Sequence, residues 1–84
     1  MTMLDNRTWT LADRLRKSRQ MAGLEQADVA ELLGVSRNTI SNYETGKSEP
    51  TATTFVLWAE ATRASLDWLA LGIVRPEGFE PPAY

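Results

Sequence analysis

The 84-residue chain contains no cysteine and no histidine. Without thiols, neither a disulfide framework nor a thiolate metal site can staple so short a chain, and cytoplasmic residence is the natural expectation. Without imidazole, the commonest zinc ligand and the usual acid/base group are both missing, and no Ser-His arrangement can form. No glycine loop of the kind that cradles phosphates is present, and the acids Asp28, Glu31, Glu60 and Asp67 fall at no catalytic or metal-ligating spacing. An enzyme is therefore not expected, nor a metal, a cofactor or a small-molecule ligand. The N-terminal "MTMLDNRTWT" lacks the basic start and apolar run of a signal peptide. No segment approaches the roughly 18 apolar residues that a membrane span needs, so no membrane association is expected.

What is present suits one small globular domain carrying both charge signs. The net charge of -2 hides an asymmetry. From Arg7 to Lys47 there are seven basic residues against five acidic ones, and from Ser48 onward two against five. The first half is mildly basic and the tail acidic, which matters more to a local binding face than the total does.

Apolar periodicity predicts five short helices and no strand. In the first, about Leu11 to Ala22, Leu11, Leu15, Ser18 and Ala22 recur along one face, with Arg14, Arg16, Lys17 and Gln20 over much of the rest. Thr10 and Asp13 read as its N-cap pair, and Gly23 stops it. The second, "EQADVAELLG", places Val29, Leu32 and Leu33 as apolar positions, and Gly34 ends it in the left-handed conformation. Ser36 then caps a third helix, about Arg37 to Glu44. After the loop "TGKSEP" comes a fourth, about Ala52 to Arg63, whose run Phe55, Val56, Leu57, Trp58, Ala59 and Ala61 reads as largely buried. Ser65 caps a fifth, "LDWLALG", in which Leu66, Leu69, Ala70 and Ile73 can face the core while Trp68 and Leu71 point elsewhere. Trp58 and Trp68 are read as core residues and not as a ligand pocket, and Trp9 is expected against Arg14 or the tail. "IVRPEGFEPPAY" holds three of the four prolines and cannot continue a helix. The division is an N-terminal arm 1–9, an all-α domain 10–73 and a Pro-rich extended tail 74–84.

The second and third helices are joined by too short a link for anything but a steep crossing, a helix-turn-helix. Ala30 fits the close crossing point, Gly34 the turn, and Val29, Leu33, Val35, Ile40 and Tyr43 the apolar contacts that hold the two helices together. At 100° per residue Asn38 and Asn42 lie nearly opposite Ile40, Ser41 and Thr45 lie beside them, and Arg37 flanks the group. With Ile40 inward, this face must point out. An asparagine amide offers the donor and acceptor that adenine N6/N7 requires, and an arginine fork matches guanine O6/N7. Asn38, Ser41 and Asn42 could also be an ordinary solvated face, but Glu, Lys and Gln would favour the helix more.

From about Leu11 to Gly72 the sequence resembles the Cro/repressor-type helix-turn-helix family, the lambda-repressor-like five-helix domains of phage repressors and small bacterial regulators. The residues that carry the resemblance are "GLEQADVAELLGVSRNTISNYETGKSEP" and, more weakly, "ASLDWLALG". It implies a sequence-specific double-stranded DNA-binding transcriptional regulator, a repressor of phage or bacterial kind, with the third helix in the major groove. Arg37, Asn38, Ser41 and Asn42 fall on base-reading positions. Gln26, Ser36, Thr39, Lys47, Ser48 and Thr51 would contact phosphates, Gln26 also bracing the reading helix. Arg19 and Glu44 match the family's structural ion pair between the first helix and the end of the third.

This chain departs from the family in its acidic balance and in Glu49, where a basic residue would help. Each basic residue fewer is one counterion fewer released on binding, so monomer affinity should be modest. That points to a homodimer on a two-fold symmetric operator, cytoplasmic and nucleoid-associated when bound. Apolar surface left on the fifth helix would then be covered by a second subunit or by Phe79 and Tyr84 of the tail. The alternative on the same fold is a protein-binding regulator, an antirepressor or antitoxin.

Overall fold

A computed structural model describes residues 9–73; the arm before Trp9 and the tail from residue 74, with Phe79 and Tyr84, lie outside the described residues. The elements are α1 (Leu11–Met21), α2 (Gln26–Leu33), α3 (Arg37–Glu44), α4 (Ala52–Thr62) and α5 (Leu66–Leu71), all α-helices with no strand among the described residues. Each begins where a side chain satisfies orphan N–H groups. Thr10 and Asp13 form a reciprocal capping box, the Thr10 hydroxyl accepting from the Asp13 N–H and the Asp13 carboxylate from the Thr10 N–H, both at 3.0 Å. The Asp28 carboxylate accepts from the Glu25 N–H at the start of α2. Ser36, Thr51 and Ser65 cap α3, α4 and α5 by accepting from the N–H three residues on.

Leu15, Val29, Ala30, Ile40, Trp58, Ala59 and Leu69 form one buried cluster, with Leu11, Leu24, Leu33, Val35, Tyr43, Phe55 and Trp68 packed around it. Every helix contributes, which is how so short a chain closes a core. Trp58 is fully buried, and its indole N–H donates to Ser18 Oγ at 3.0 Å, while Ser18 donates to the Leu15 carbonyl at 2.8 Å. The polar atom that a buried tryptophan must place is thereby satisfied. Tyr43 meets the Trp58 ring edge to face, which ties α3 to α4.

Several expectations about faces are corrected. Arg14 is buried, 8% exposed, because it stands three residues after Leu11 and four before Ser18 on the inward face of α1. Its Nε donates to the Leu69 carbonyl at 3.0 Å, Nη2 to the Ala70 carbonyl at 3.4 Å and Nη1 to the Trp9 carbonyl at 3.1 Å. It therefore satisfies the orphan carbonyls of α5, and burial pushes its pKa below the ordinary guanidinium value while Asp13 opposes this. On α5 only Leu69 reaches the core centre; Trp68 packs against the core and against Trp9, ring edge to face, instead of pointing away. Leu66 and Ile73, expected inside, are 42% and 48% exposed. A helix of six residues offers too little length for both flanks to be covered by α1 and α4. Leu32 on α2 is exposed, and Val56 and Leu57 on α4 are partly so, since one helix cannot bury a continuous apolar run on all sides.

Candidate nucleic-acid interface

The turn between α2 and α3 is three residues long, Gly34 to Ser36. Gly34 adopts φ 74° and ψ 29°, and the Val35 N–H reaches back to the Ala30 carbonyl at 3.0 Å while the Gly34 N–H reaches the Glu31 carbonyl at 3.3 Å. These two bonds finish α2 in a Schellman-type stop and turn the chain sharply into Ser36. Ser36 accepts from the Thr39 N–H at 3.1 Å, and the Ser36 and Thr39 hydroxyls share a hydrogen bond of 2.9 Å.

Ile40 is fully buried and fixes the rotation of α3. Arg37 and Asn38 are exposed, Thr39, Ser41 and Asn42 half-buried, all on an eight-residue helix about 12 Å long, the width of the DNA major groove. At the far end of α3 the N–H groups of Lys47 and Ser48 both donate to the Asn42 carbonyl, at 2.9 and 3.3 Å. The loop is thereby folded back on the C-terminal end of α3, with Lys47 and Ser48 exposed. Glu49 is exposed in the same loop. Thr51 accepts from the Thr54 N–H, and its hydroxyl donates to Thr54 Oγ1 at 3.1 Å, so its proton is engaged within the α4 cap.

Behind this face lies a charged network that holds α3 to α1 and α2. Arg19 Nε donates to Glu44 Oε2 at 2.6 Å and Arg19 Nη2 to Glu44 Oε1 at 2.9 Å, a two-pronged pair in which Glu44 is 3% exposed. The bonding to Glu44 raises the Arg19 pKa above its ordinary value, against the opposing effect of burial. Arg19 Nη1 donates to the Leu24 carbonyl at 2.9 Å. Gln26, the first residue of α2, donates from Nε2 to Glu44 Oε1 at 3.1 Å. One carboxylate thus joins three helices, and the outward face of α3 is presented on a rigid base. The resemblance implied that Gln26 braces the reading helix; helix periodicity gives no signal for its particular partner, Glu44, 18 residues away.

The sequence model of the Helix-turn-helix family matches residues 15–69. The chain belongs to the helix-turn-helix family. Its fold is that of the lambda-repressor-like domains. The P22 c2 repressor, solved in complex with a synthetic operator, superposes with a TM-score of 0.72 at 29% identity, covering 79% of this chain and all of that one. Among helix-turn-helix sequences, a transcriptional regulator for the conjugative element SXT of Vibrio cholerae is 36% identical over 63 residues, which are 75% of this chain and 29% of that protein. The transcriptional regulator ImmR of Bacillus subtilis strain 168 is 35% identical over 60 residues, 71% of this chain and 47% of that one. The chain thus spans less than half the length of these two relatives.

Proposed function

We propose that the protein is a sequence-specific double-stranded DNA-binding transcriptional regulator, a repressor, that reads the major groove with α3. The observation that carries this reading is the outward face of a short, rigidly held helix bearing Arg37, Asn38, Ser41 and Asn42, with Lys47 and Ser48 folded back on its C-terminal end. Arg37, Asn38 and Asn42 supply the forked donors and amides that base edges require, and Ser41 is short enough to lie at the groove floor. Gln26, Ser36, Thr39, Lys47 and Ser48 would meet the flanking phosphates, and Thr51 would do so through the N-terminal end of α4. The P22 c2 repressor, whose fold superposes on this one, was solved in complex with a synthetic operator, which supports DNA as the partner. Two copies on a two-fold symmetric operator would supply the affinity that one weakly basic face lacks, and the site of action is the cytoplasm. No described helix is long and apolar enough to cross a membrane.

The exposed apolar residues Leu66 and Leu71 of α5, and Ile73 just beyond it, favour a second reading, a protein-binding regulator on the same fold. Backbone amide shifts of the labelled chain titrated with duplex DNA at low salt separate the two. The DNA reading expects shifts concentrated over residues 36–48 and the first turn of α4. Silence there, or shifts confined to α5, would reject it.

A further inference from the structure

Thr45, the residue that ends α3, lies on the outward stripe of the helix, yet the reading proposed above gives it no part. At 100° per residue it stands about 140° round from Ile40 and about 20° from Asn38, two turns further along. Thr45 is exposed and Glu44 before it is buried, so Thr45 is the last side chain that the helix turns outward. The next residue, Gly46, has no side chain, and open space lies where one would stand.

The Thr45 hydroxyl is turned away from any partner's acceptor. Its Oγ1 donates to the Ser41 carbonyl at 2.9 Å and, more weakly, to the Asn42 carbonyl at 3.4 Å. Both carbonyls belong to the last turn of α3, where the helix itself supplies no donors, and a threonine hydroxyl reaching back four residues satisfies them. The single hydroxyl proton is thereby held within the helix end, and the bond fixes the side chain in one rotamer. The γ-methyl takes a different staggered position on Cβ, away from the bonded carbonyls. What Thr45 offers outward is a methyl group.

The other outward residues present polar atoms only. Arg37, Asn38, Ser41 and Asn42 can match donors and acceptors on base edges, and none of them presents a methyl group. Thr39 has one, but it is half-buried with its hydroxyl on Ser36 at 2.9 Å. In the major groove thymine is marked by its C5-methyl, and the group that complements it is apolar.

We infer that Thr45 is a specificity-determining residue whose γ-methyl packs against the C5-methyl of one thymine in each operator half-site, while its hydroxyl stays on the Ser41 carbonyl. This rests on the DNA-binding reading of α3 and adds to it a base contact that is apolar where the others are polar. Burying a group the size of one methyl is worth about fourfold in affinity per half-site.

The test uses the full chain and duplexes carrying the consensus it selects, with thymines replaced one position at a time, in both half-sites, by uracil. Uracil pairs as thymine does and lacks only the C5-methyl. Fluorescence anisotropy compares wild type with Thr45→Ser, which keeps the hydroxyl and removes the methyl, and with Thr45→Val, which does the reverse. At one thymine position uracil should weaken wild-type binding by about fourfold per half-site, weaken Thr45→Val equally, and leave Thr45→Ser unaffected. Equal sensitivity in wild type and Thr45→Ser, or no sensitive thymine, would overturn the methyl contact and leave the regulator reading standing. A preference for that base pair kept by Thr45→Ser and lost by Thr45→Val would assign the contact to the oxygen and overturn it as well. The Lys47 and Ser48 amide protons, which bond the Asn42 carbonyl, report whether the end of α3 is intact in each variant. If Thr45→Val disturbs it, wild type against Thr45→Ser decides alone. A wild-type chain that binds no duplex, or selects no sequence, overturns the regulator reading and this inference with it.

Discussion

Arg19 and Glu44 stand 25 residues apart in sequence and face each other across the α1–α3 contact at 2.6 Å, nearly sealed from solvent. Removing either partner alone leaves a buried charge without its counter-ion. Arg19→Ala or Glu44→Ala should therefore cost about 3–5 kcal/mol, a large part of the stability of a domain this size. The pair Arg19→Met with Glu44→Leu, which removes both charges, should recover much of that loss. Urea denaturation of the three variants checks this: the single variants should move to much lower midpoints than the double.

Stability should also fall at acid pH through Asp13. The hydrogen bond from the Thr10 backbone N–H holds its carboxyl below the ordinary value of 3.8, with the Thr10 hydroxyl and Arg16 acting in the same sense and partial burial opposing. A carboxyl depressed in the folded state adds stability that is fully present above 3.8 and is lost as pH falls through the lower folded value. The capping box it serves contributes about 1 kcal/mol. Asp13→Asn should lower Tm at neutral pH and remove part of the decline below pH 3.8; an unchanged slope would show that Asp13 does not contribute it.

Lys47 and Glu49 flank Ser48 in one exposed loop and should act on DNA affinity in opposite directions. Lys47→Ala should weaken binding to every sequence and reduce the slope of log affinity against log salt by about 0.9 per protomer. Glu49→Gln should strengthen binding to every sequence, with the preference among sequences unaltered. Fluorescence anisotropy at several salt concentrations measures both, and a sequence-dependent effect of either change would place that residue at a base.

Most of the fold was legible in the sequence because its signals are local. Thr10, Ser36 and Ser65 each announce a helix start, and Gly34 and Gly72 each announce a stop, whereas the Thr51 cap of α4 emerged only in the structure. Ile40 alone orients α3, since a helix with one large inward aliphatic has only one way to turn. What was not legible depends on partners far away in sequence. Arg14 sits in periodic register with Leu11 and Ser18, yet its charge argued for solvent; only the approach of α5 carbonyls makes its burial tolerable. Trp68 packs on the core as its reading as a core residue expected, against its assignment to the outer side of the fifth helix, while Leu66 is exposed; Trp9 and Arg14 meet α5 on the Trp68 side. On the candidate interface, the outward direction of Asn38 followed from helix geometry, whereas the Gln26–Glu44 bond and the fold-back of Lys47 onto Asn42 are tertiary.

The central claim is that α3 reads base sequence through Asn38 and Asn42. Selection of bound duplexes from a random pool, run in parallel with the full chain and with Asn38→Ala/Asn42→Ala, tests it most directly. The account predicts a palindromic consensus with half-site centres about 10 bp apart for the wild type, and loss of that consensus for a double variant whose helical content is intact. No enriched sequence for the wild type, or the same consensus from both proteins, would contradict it.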